Sequence, residues 1–157
     1  MRSLFYYNTP IGRIGAAEED GAVTGLFFEN EAAPENTQVK ETALLKEVKK
    51  QLDEYFDKKR TVFDVPLNPK GTDFQKRDWQ ELLKIPYGET RSYGEIAKAL
   101  GIPKGARAVG LANNKNPISI IIPCHRVIGS DGKLVGYGGG LPVKEALLRL
   151  EGSRFVY

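Results

Sequence analysis

An apolar run, Ile118-Ser119-Ile120-Ile121-Ile122, ends abruptly at Pro123-Cys124-His125, and this junction constrains the fold more than any other stretch. The run predicts a buried strand. The proline predicts a sharp exit from it, because proline fixes its own φ and restricts the residue before it. Cys124 is the only cysteine of the 157 residues and His125 the only histidine. Adjacent side chains on an extended strand point to opposite faces, so a working Cys-His pair requires the backbone to turn here. The chemistry of such a pair is nucleophilic: a thiolate attacks, and a nearby imidazole takes the thiol proton directly or through one water. The bland alternative is a small buried hydrophobe beside a surface or core histidine.

The cysteine count also excludes chemistry. One cysteine forms no internal disulfide, and one Cys with one His cannot build a Cys/His zinc site, so no metal and no cofactor is expected. A redox protein would usually carry a second, resolving cysteine. No stretch approaches the roughly 18 to 20 apolar residues that span a membrane, and the N-terminus lacks the apolar core of a secretory signal. A soluble, monomeric, cytoplasmic protein is the expectation. The net charge of +3 is a mild basic excess, meaningful for polyanion binding only where it clusters.

Along the chain, Leu4–Tyr7, Ile11–Ala17 and Val23–Phe28 read as short strands of an antiparallel meander, with turns at Thr9-Pro10 and Asp20-Gly21. Residues 29–37 read as a loop. From Val39 to Phe56, Leu44, Leu45, Val48, Leu52, Tyr55 and Phe56 recur at helical spacing, and Thr61–Val65 reads as a further strand. The fold class is therefore α+β: a small N-terminal antiparallel sheet with a helix, then a mainly helical C-terminal domain with a short sheet. Residues 1–66 form the N-terminal scaffold domain, 67–71 the linker, centred on Asn68-Pro69-Lys70-Gly71, and 72–157 the functional domain.

In the second domain, Thr72 or Asp73 can cap a helix running to about Ile85, with Phe74, Trp79, Leu82 and Leu83 on its inner side. Ser92 caps a short helix from Tyr93 to Leu100, with Glu95 at the capping-box position. After Gly101-Ile102-Pro103, Lys104–Asn113 forms the next helix, giving a helix-turn-helix outline. That helix is nearly bare of bulk, with Gly105, Ala106, Ala108, Gly110 and Ala112, which suits either close helix packing or entry into a narrow groove. Lys104, Arg107, Lys115 and Arg91 supply phosphate-directed charge along the same unit. Residues 128–135 read as a hairpin around Ser130-Asp131-Gly132, Tyr137–Gly140 as a glycine loop, and Pro142–Leu150 as the last helix, with Val143, Leu147, Leu148 and Leu150 in the core.

Pro123-Cys124-His125-Arg126-Val127-Ile128, preceded by Asn116-Pro117 and followed by Tyr137-Gly138-Gly139-Gly140-Leu141 and Lys144-Glu145, resembles the active-site signature of the O6-alkylguanine-DNA alkyltransferases. The resemblance is close from about Phe74 to Gly152. It implies a winged-helix-like second domain and single-turnover transfer of an alkyl group from O6-alkylguanine, and from O4-alkylthymine, in double-stranded DNA onto Cys124. It implies His125 as the base acting through a water, Glu151 as the carboxylate orienting it, Asn116 as the brace of the active-site turn, and Tyr93 as a phenol bonding the flipped base. Carbonyls of Cys124 and Val127 and amides of Tyr137, Gly138 and Gly139 would meet the guanine. The slim helix would lie in the minor groove without sequence preference, with Ala106 against the DNA, Lys104 and Arg91 near phosphates, and Arg107 in the base stack. Where some relatives place serine after the matched tyrosine this chain has Gly138, which removes a hydroxyl contact and implies a wider pocket. No zinc ligands stand in the N-terminal region, where some relatives bind the metal. A homologue that binds alkylated bases without repairing them would lack Cys124, and a purely architectural DNA-binding protein would not need Cys124, His125 and Glu151 together.

Overall fold

The computed structural model describes residues 2–156, which fall into two compact units. The first contains residues up to Lys70 together with Pro117–Ser119; the second contains Gly71–Asn116 and the chain from Ile120 onward.

In the first unit, β1 (Arg2–Thr9), β2 (Gly12–Glu19) and β3 (Ala22–Phe28) form the expected antiparallel meander, paired from Ser3↔Glu18 to Thr9↔Gly12 and from Ile14↔Phe28 to Glu19↔Ala22, the second pairing shifting register between Ala17 and Glu18. A fourth strand, β4 (Thr37–Val39), runs parallel to β1, so the sheet order is β3-β2-β1-β4. This corrects the helix expected from Val39. The Lys40 amide donates to the Leu4 carbonyl at 3.0 Å, and the Tyr7 phenol donates to Glu41 at 2.7 Å, so residues 37–41 follow the sheet. The helix α1 (Ala43–Phe56) starts only after Thr42, whose hydroxyl caps the Leu45 amide. Leu45, Val48, Leu52 and Tyr55 are wholly buried, and α1 packs on β1, β2 and β3. Thr61–Val65 is not a strand. Gln51, buried in α1, bonds the Asp64 amide and carbonyl at 2.8 and 3.0 Å, which satisfies that backbone without a ladder. Val23 pairs instead with Pro66 and Asn68.

In the second unit, α2 (Asp73–Leu82) and α3 (Tyr93–Ala99) both open with complete capping boxes, Thr72 with Gln75 and Ser92 with Glu95. Trp79 and Leu82 are buried, but Leu83 is exposed, because α2 ends at Leu82 and its apolar stripe ends with it. Gly101, at φ +78°, closes α3 in the left-handed conformation that glycine adopts without cost. Then comes α4 (Ala106–Asn114), packed on α2 and α3 in the helix-turn-helix arrangement. A two-stranded parallel pair, β5 (Arg91–Ser92) and β6 (Val127–Ile128), and α5 (Leu141–Leu150) complete the unit. Leu147 and Leu148 are buried, whereas Val143 and Leu150 are only partly covered.

Two further expectations are corrected here. The expected hairpin over 128–135 is a tight turn: Gly129 and Gly132 bond within it, but β6 pairs with β5, while Lys133 bridges Val156. The apolar run before Pro123 is buried but is not a strand. Ile118 makes one bridge, to Leu26, and Ile120 then turns the chain at φ +72°. A β-branched residue in that region costs about 1–3 kcal/mol and persists only where its surroundings over-determine it. Among the described residues no helix is long and apolar enough to cross a membrane, and no cluster of His, Cys, Asp and Glu could hold a metal ion.

Candidate active site and nucleic-acid interface

The turn at Ile120 is followed by a single 3-10 turn, Cys124–Arg126, which resolves the strand problem of the Cys-His pair. The Cys124 amide donates back to the Ile122 carbonyl at 2.8 Å and the Arg126 amide to the Pro123 carbonyl at 3.0 Å. The Asn116 side chain, leaving α4, braces this turn: its Nδ2 donates to the Ile122 carbonyl at 2.9 Å and to Cys124 Sγ at 3.3 Å. Cys124 itself is 8% exposed.

His125 is completely buried, and its Nε2 lies 2.8 Å from Glu151 Oε2, at the C-terminal end of α5. Arg126 holds the same carboxylate, with Nε to Oε1 at 2.8 Å and Nη2 to Oε2 at 3.1 Å, while its Nη1 donates to the Ile85 carbonyl at 2.7 Å. Burial alone would raise the Glu151 carboxyl. Hydrogen bonds and charge from His125 and Arg126 outweigh it and hold the group down at about 2. For His125 burial dominates and lowers its pKa, against the pull of Glu151 and with help from the Arg126 and Lys144 charges. A neutral imidazole beside an ionised carboxylate carries its proton on the facing nitrogen, so Nε2 is the donor and Nδ1 keeps a lone pair. Nδ1 is buried and has no hydrogen-bond partner among the described residues. The site thus holds a neutral, oriented base next to a thiol.

The wall opposite is built by Lys144 and Tyr93. Lys144 is completely buried, and its Nζ donates to the carbonyls of Val127 at 2.6 Å, Val135 at 2.8 Å and Gly136 at 3.2 Å. Burial lowers its pKa to about 8, against the opposing pull of Cys124. Tyr93, at the first position of α3, donates its phenol proton to the Val135 carbonyl at 2.9 Å. Burial, then the charges of Cys124 and Asp78, push that phenol up to about 12, so it remains a donor at neutral pH.

A cavity of about 430 Å³ opens between α3, α4 and the loop before α5. Tyr93 lines it with Ala106, Arg107, Gly110, Leu111 and Asn114 of α4, and with Val135 and Gly136. Arg107 and Ala106 are exposed along this face, and Lys104 is exposed just ahead of α4. Arg91 already bonds Glu89 at 3.1 Å and the Thr90 carbonyl at 2.9 Å. Tyr137, Gly138 and Gly139 follow the lining residues in the loop, with the Gly140 amide bonding the Tyr137 carbonyl at 3.0 Å; the cavity wall is formed by Val135 and Gly136 instead. The Val127 carbonyl is engaged by Lys144, and the Cys124 carbonyl by the Val127 amide.

Sequence reasoning assigned no role to Lys144 or Arg126. A signal for Lys144 existed: it stands in register with Leu147, Leu148 and Glu151 on the inward stripe of α5, where a charge needs partners.

Comparison with known proteins gives a consistent picture. Residues 5–69 match the family described as 6-O-methylguanine DNA methyltransferase, ribonuclease-like domain, and residues 73–153 match 6-O-methylguanine DNA methyltransferase, DNA binding domain. A methylated-DNA–protein-cysteine methyltransferase of Methanosarcina acetivorans is 52% identical, over 94% of this chain and 96% of its own. One of Mycobacterium tuberculosis is 51% identical, over 96% of this chain and 94% of its own. The crystal structure of Mycobacterium tuberculosis OGT in complex with DNA superposes with a TM-score of 0.91 at 49% identity, covering 96% of this chain and 92% of that one.

Proposed function

The chain belongs to the 6-O-methylguanine DNA methyltransferase family, and from that premise we propose that it repairs alkylated DNA by moving the alkyl group from guanine O6 onto Cys124 Sγ. The observation that carries the assignment is the buried His125–Glu151 contact of 2.8 Å beside Cys124 in its 3-10 turn.

In this reading His125 Nδ1 takes the thiol proton through one water, and Glu151, kept ionised by Arg126, stabilises the imidazolium that forms. Sulfur then attacks the alkyl carbon. The S–C bond forms as the C–O6 bond breaks, and the electron pair of that bond stays on the base, which becomes guanine by taking up, through water, the proton that the imidazolium gives back. Tyr93 keeps its proton and turns from the Val135 carbonyl to the base; Lys144 continues to satisfy that carbonyl. The Cys124 and Val127 carbonyls accept from the guanine amino group, and the amides of Tyr137, Gly138 and Gly139 approach O6.

The base reaches the thiol only if it leaves the duplex, at a cost of about a few kcal/mol that a mispaired alkylated guanine lowers. The slim helix α4 enters the minor groove, Ala106 allows close approach, Lys104 and Arg91 face phosphates, and Arg107 fills the place of the extruded base. Residues 72–157 do this as one DNA-binding and transfer domain, tethered through 67–71 to residues 1–66 as scaffold, and the protein works as a monomer. The test is intact-mass analysis after mixing with an oligonucleotide containing O6-methylguanine. A gain of one methylene at Cys124 is expected; an unchanged mass refutes the transfer.

A further inference from the structure

Asp78 makes no hydrogen bond to the groups around Cys124, and reaches them only through its charge on Tyr93, yet it is a completely buried acid on the inner stripe of α2, beside Trp79 and Leu82. It faces the last turn of α4. With the Asn113 amide turned so that its nitrogen meets the acid, that nitrogen donates to Asp78 Oδ2 at 2.5 Å and Oδ1 at 3.3 Å, and to the Val109 carbonyl at 3.2 Å. The next residue of α2 repeats the contact one position earlier on α4, where Trp79 Nε1 donates to the Ala112 carbonyl at 3.0 Å. Little in α4 itself fixes its position. Its N-cap, Gly105, offers no side-chain bond, and Gly110 lies inside it. A short helix of low intrinsic propensity takes its placement from tertiary contacts.

We propose that Asp78 and Asn113 form a polar latch that sets the depth and rotation of α4, which makes Asp78 a positioning residue for the presentation of Arg107 to duplex DNA. This rests on the reading of α4 as the DNA-contacting helix. An apolar pair would join α2 and α4 at less cost than a buried carboxyl, but apolar surfaces slide, whereas directed hydrogen bonds select one register. The latch holds the end of α4 opposite Arg107, so a small rotation there moves the arginine at the other end. Burial, then the Glu81 carboxylate on the same helix, push the Asp78 carboxyl up to about 7. The donated Asn113 hydrogen bonds favour its ionised form.

The test follows Cys124 alkylation by intact mass with two substrates, a duplex containing O6-methylguanine and the free base O6-benzylguanine. Wild type, Asp78→Asn and Asp78→Val are compared. Asparagine keeps an acceptor for the Asn113 amide; valine keeps only the burial. Asp78→Val is expected to slow the duplex reaction about tenfold or more while the free-base rate stays within about threefold, and Asp78→Asn to stay within about threefold on both. A wild-type duplex rate in Asp78→Val overturns the latch, and so does equal slowing on both substrates, which a merely structural role produces. Should Asp78→Val not fold, Asn113→Ala is read in the same way, and failure of both to fold makes the pair structural and also overturns the proposal. Absence of alkylation in the wild type overturns the transfer reading instead.

Discussion

His125 and Glu151 stand 26 residues apart in the chain and meet at 2.8 Å, both withdrawn from solvent. The contact joins the 3-10 turn that carries Cys124 to the end of α5, and Arg126 from the same turn closes it with two bonds to the same carboxylate. A buried carboxylate with two cationic or polar partners resists protonation, and a histidine held by it has only one nitrogen left to act.

Glu151→Gln keeps the shape and removes the charge. Transfer to Cys124 is expected to slow by about 10²-fold, because the imidazolium loses its counter-charge. Stability carries the second readout. The Glu151 carboxyl is held below its ordinary 4.5, at about 2, so its contribution is present above pH 4.5 and is lost as pH falls toward 2. The amount is about 3 kcal/mol. Denaturant unfolding at neutral pH and at about pH 3 measures it, and the variant should show a shallower loss. An identical acid limb in both proteins would remove Glu151 from the account.

Arg107→Ala is expected to leave Cys124 reactive toward a free alkylated base and to slow repair within a duplex by about tenfold or more, since only the flipped state loses its support. Parallel stopped-flow measurements on both substrates decide it. Equal slowing on the two marks Arg107 as structural.

Lys144→Met leaves the Val127, Val135 and Gly136 carbonyls without their shared donor, and a stability loss of about 3 kcal/mol is expected. The wild-type lysine titrates at about 8 against an ordinary 10.5. Within that window the unfolded chain binds more protons than the folded one, so wild-type stability rises with pH from 8 toward 10. The rise should be absent in the methionine variant; urea midpoints across that range are the measurement.

Cys124 has no second thiol to receive the alkyl group, and a thioether does not hydrolyse. Titration with excess methylated duplex is expected to give a burst equal to the protein concentration and then a flat line. Cys124→Ser should give no burst while keeping DNA affinity within about threefold, because the sulfur makes no phosphate contact. The alkylated protein should melt earlier, since extra bulk beside Asn116 costs about 1–3 kcal/mol. Steady multiple turnover contradicts single use.

Elements whose signals are local were legible in the residues alone. Thr72 with Gln75 and Ser92 with Glu95 cap α2 and α3 because a hydroxyl and a carboxyl or amide three residues on satisfy amides of the same turn. The meander of β1 to β3 was legible from short apolar runs between turn residues, and the string Pro123-Cys124-His125-Arg126 with its companions pointed to the chemistry. Elements that depend on distant partners took shape only through packing. Thr37–Val39 became a strand because β1 had a free edge, and Thr61–Val65 did not because Gln51 took its hydrogen bonds. Ile118–Ile122 has the composition of a strand, yet its turn at Ile120 is imposed by contacts such as the Asn116 bond to the Ile122 carbonyl, which no local pattern encodes. Lys144 and Asp78 acquire their roles only through the packing of α5 and α2, which turns them inward, where a polar group is kept only by partners that the fold supplies.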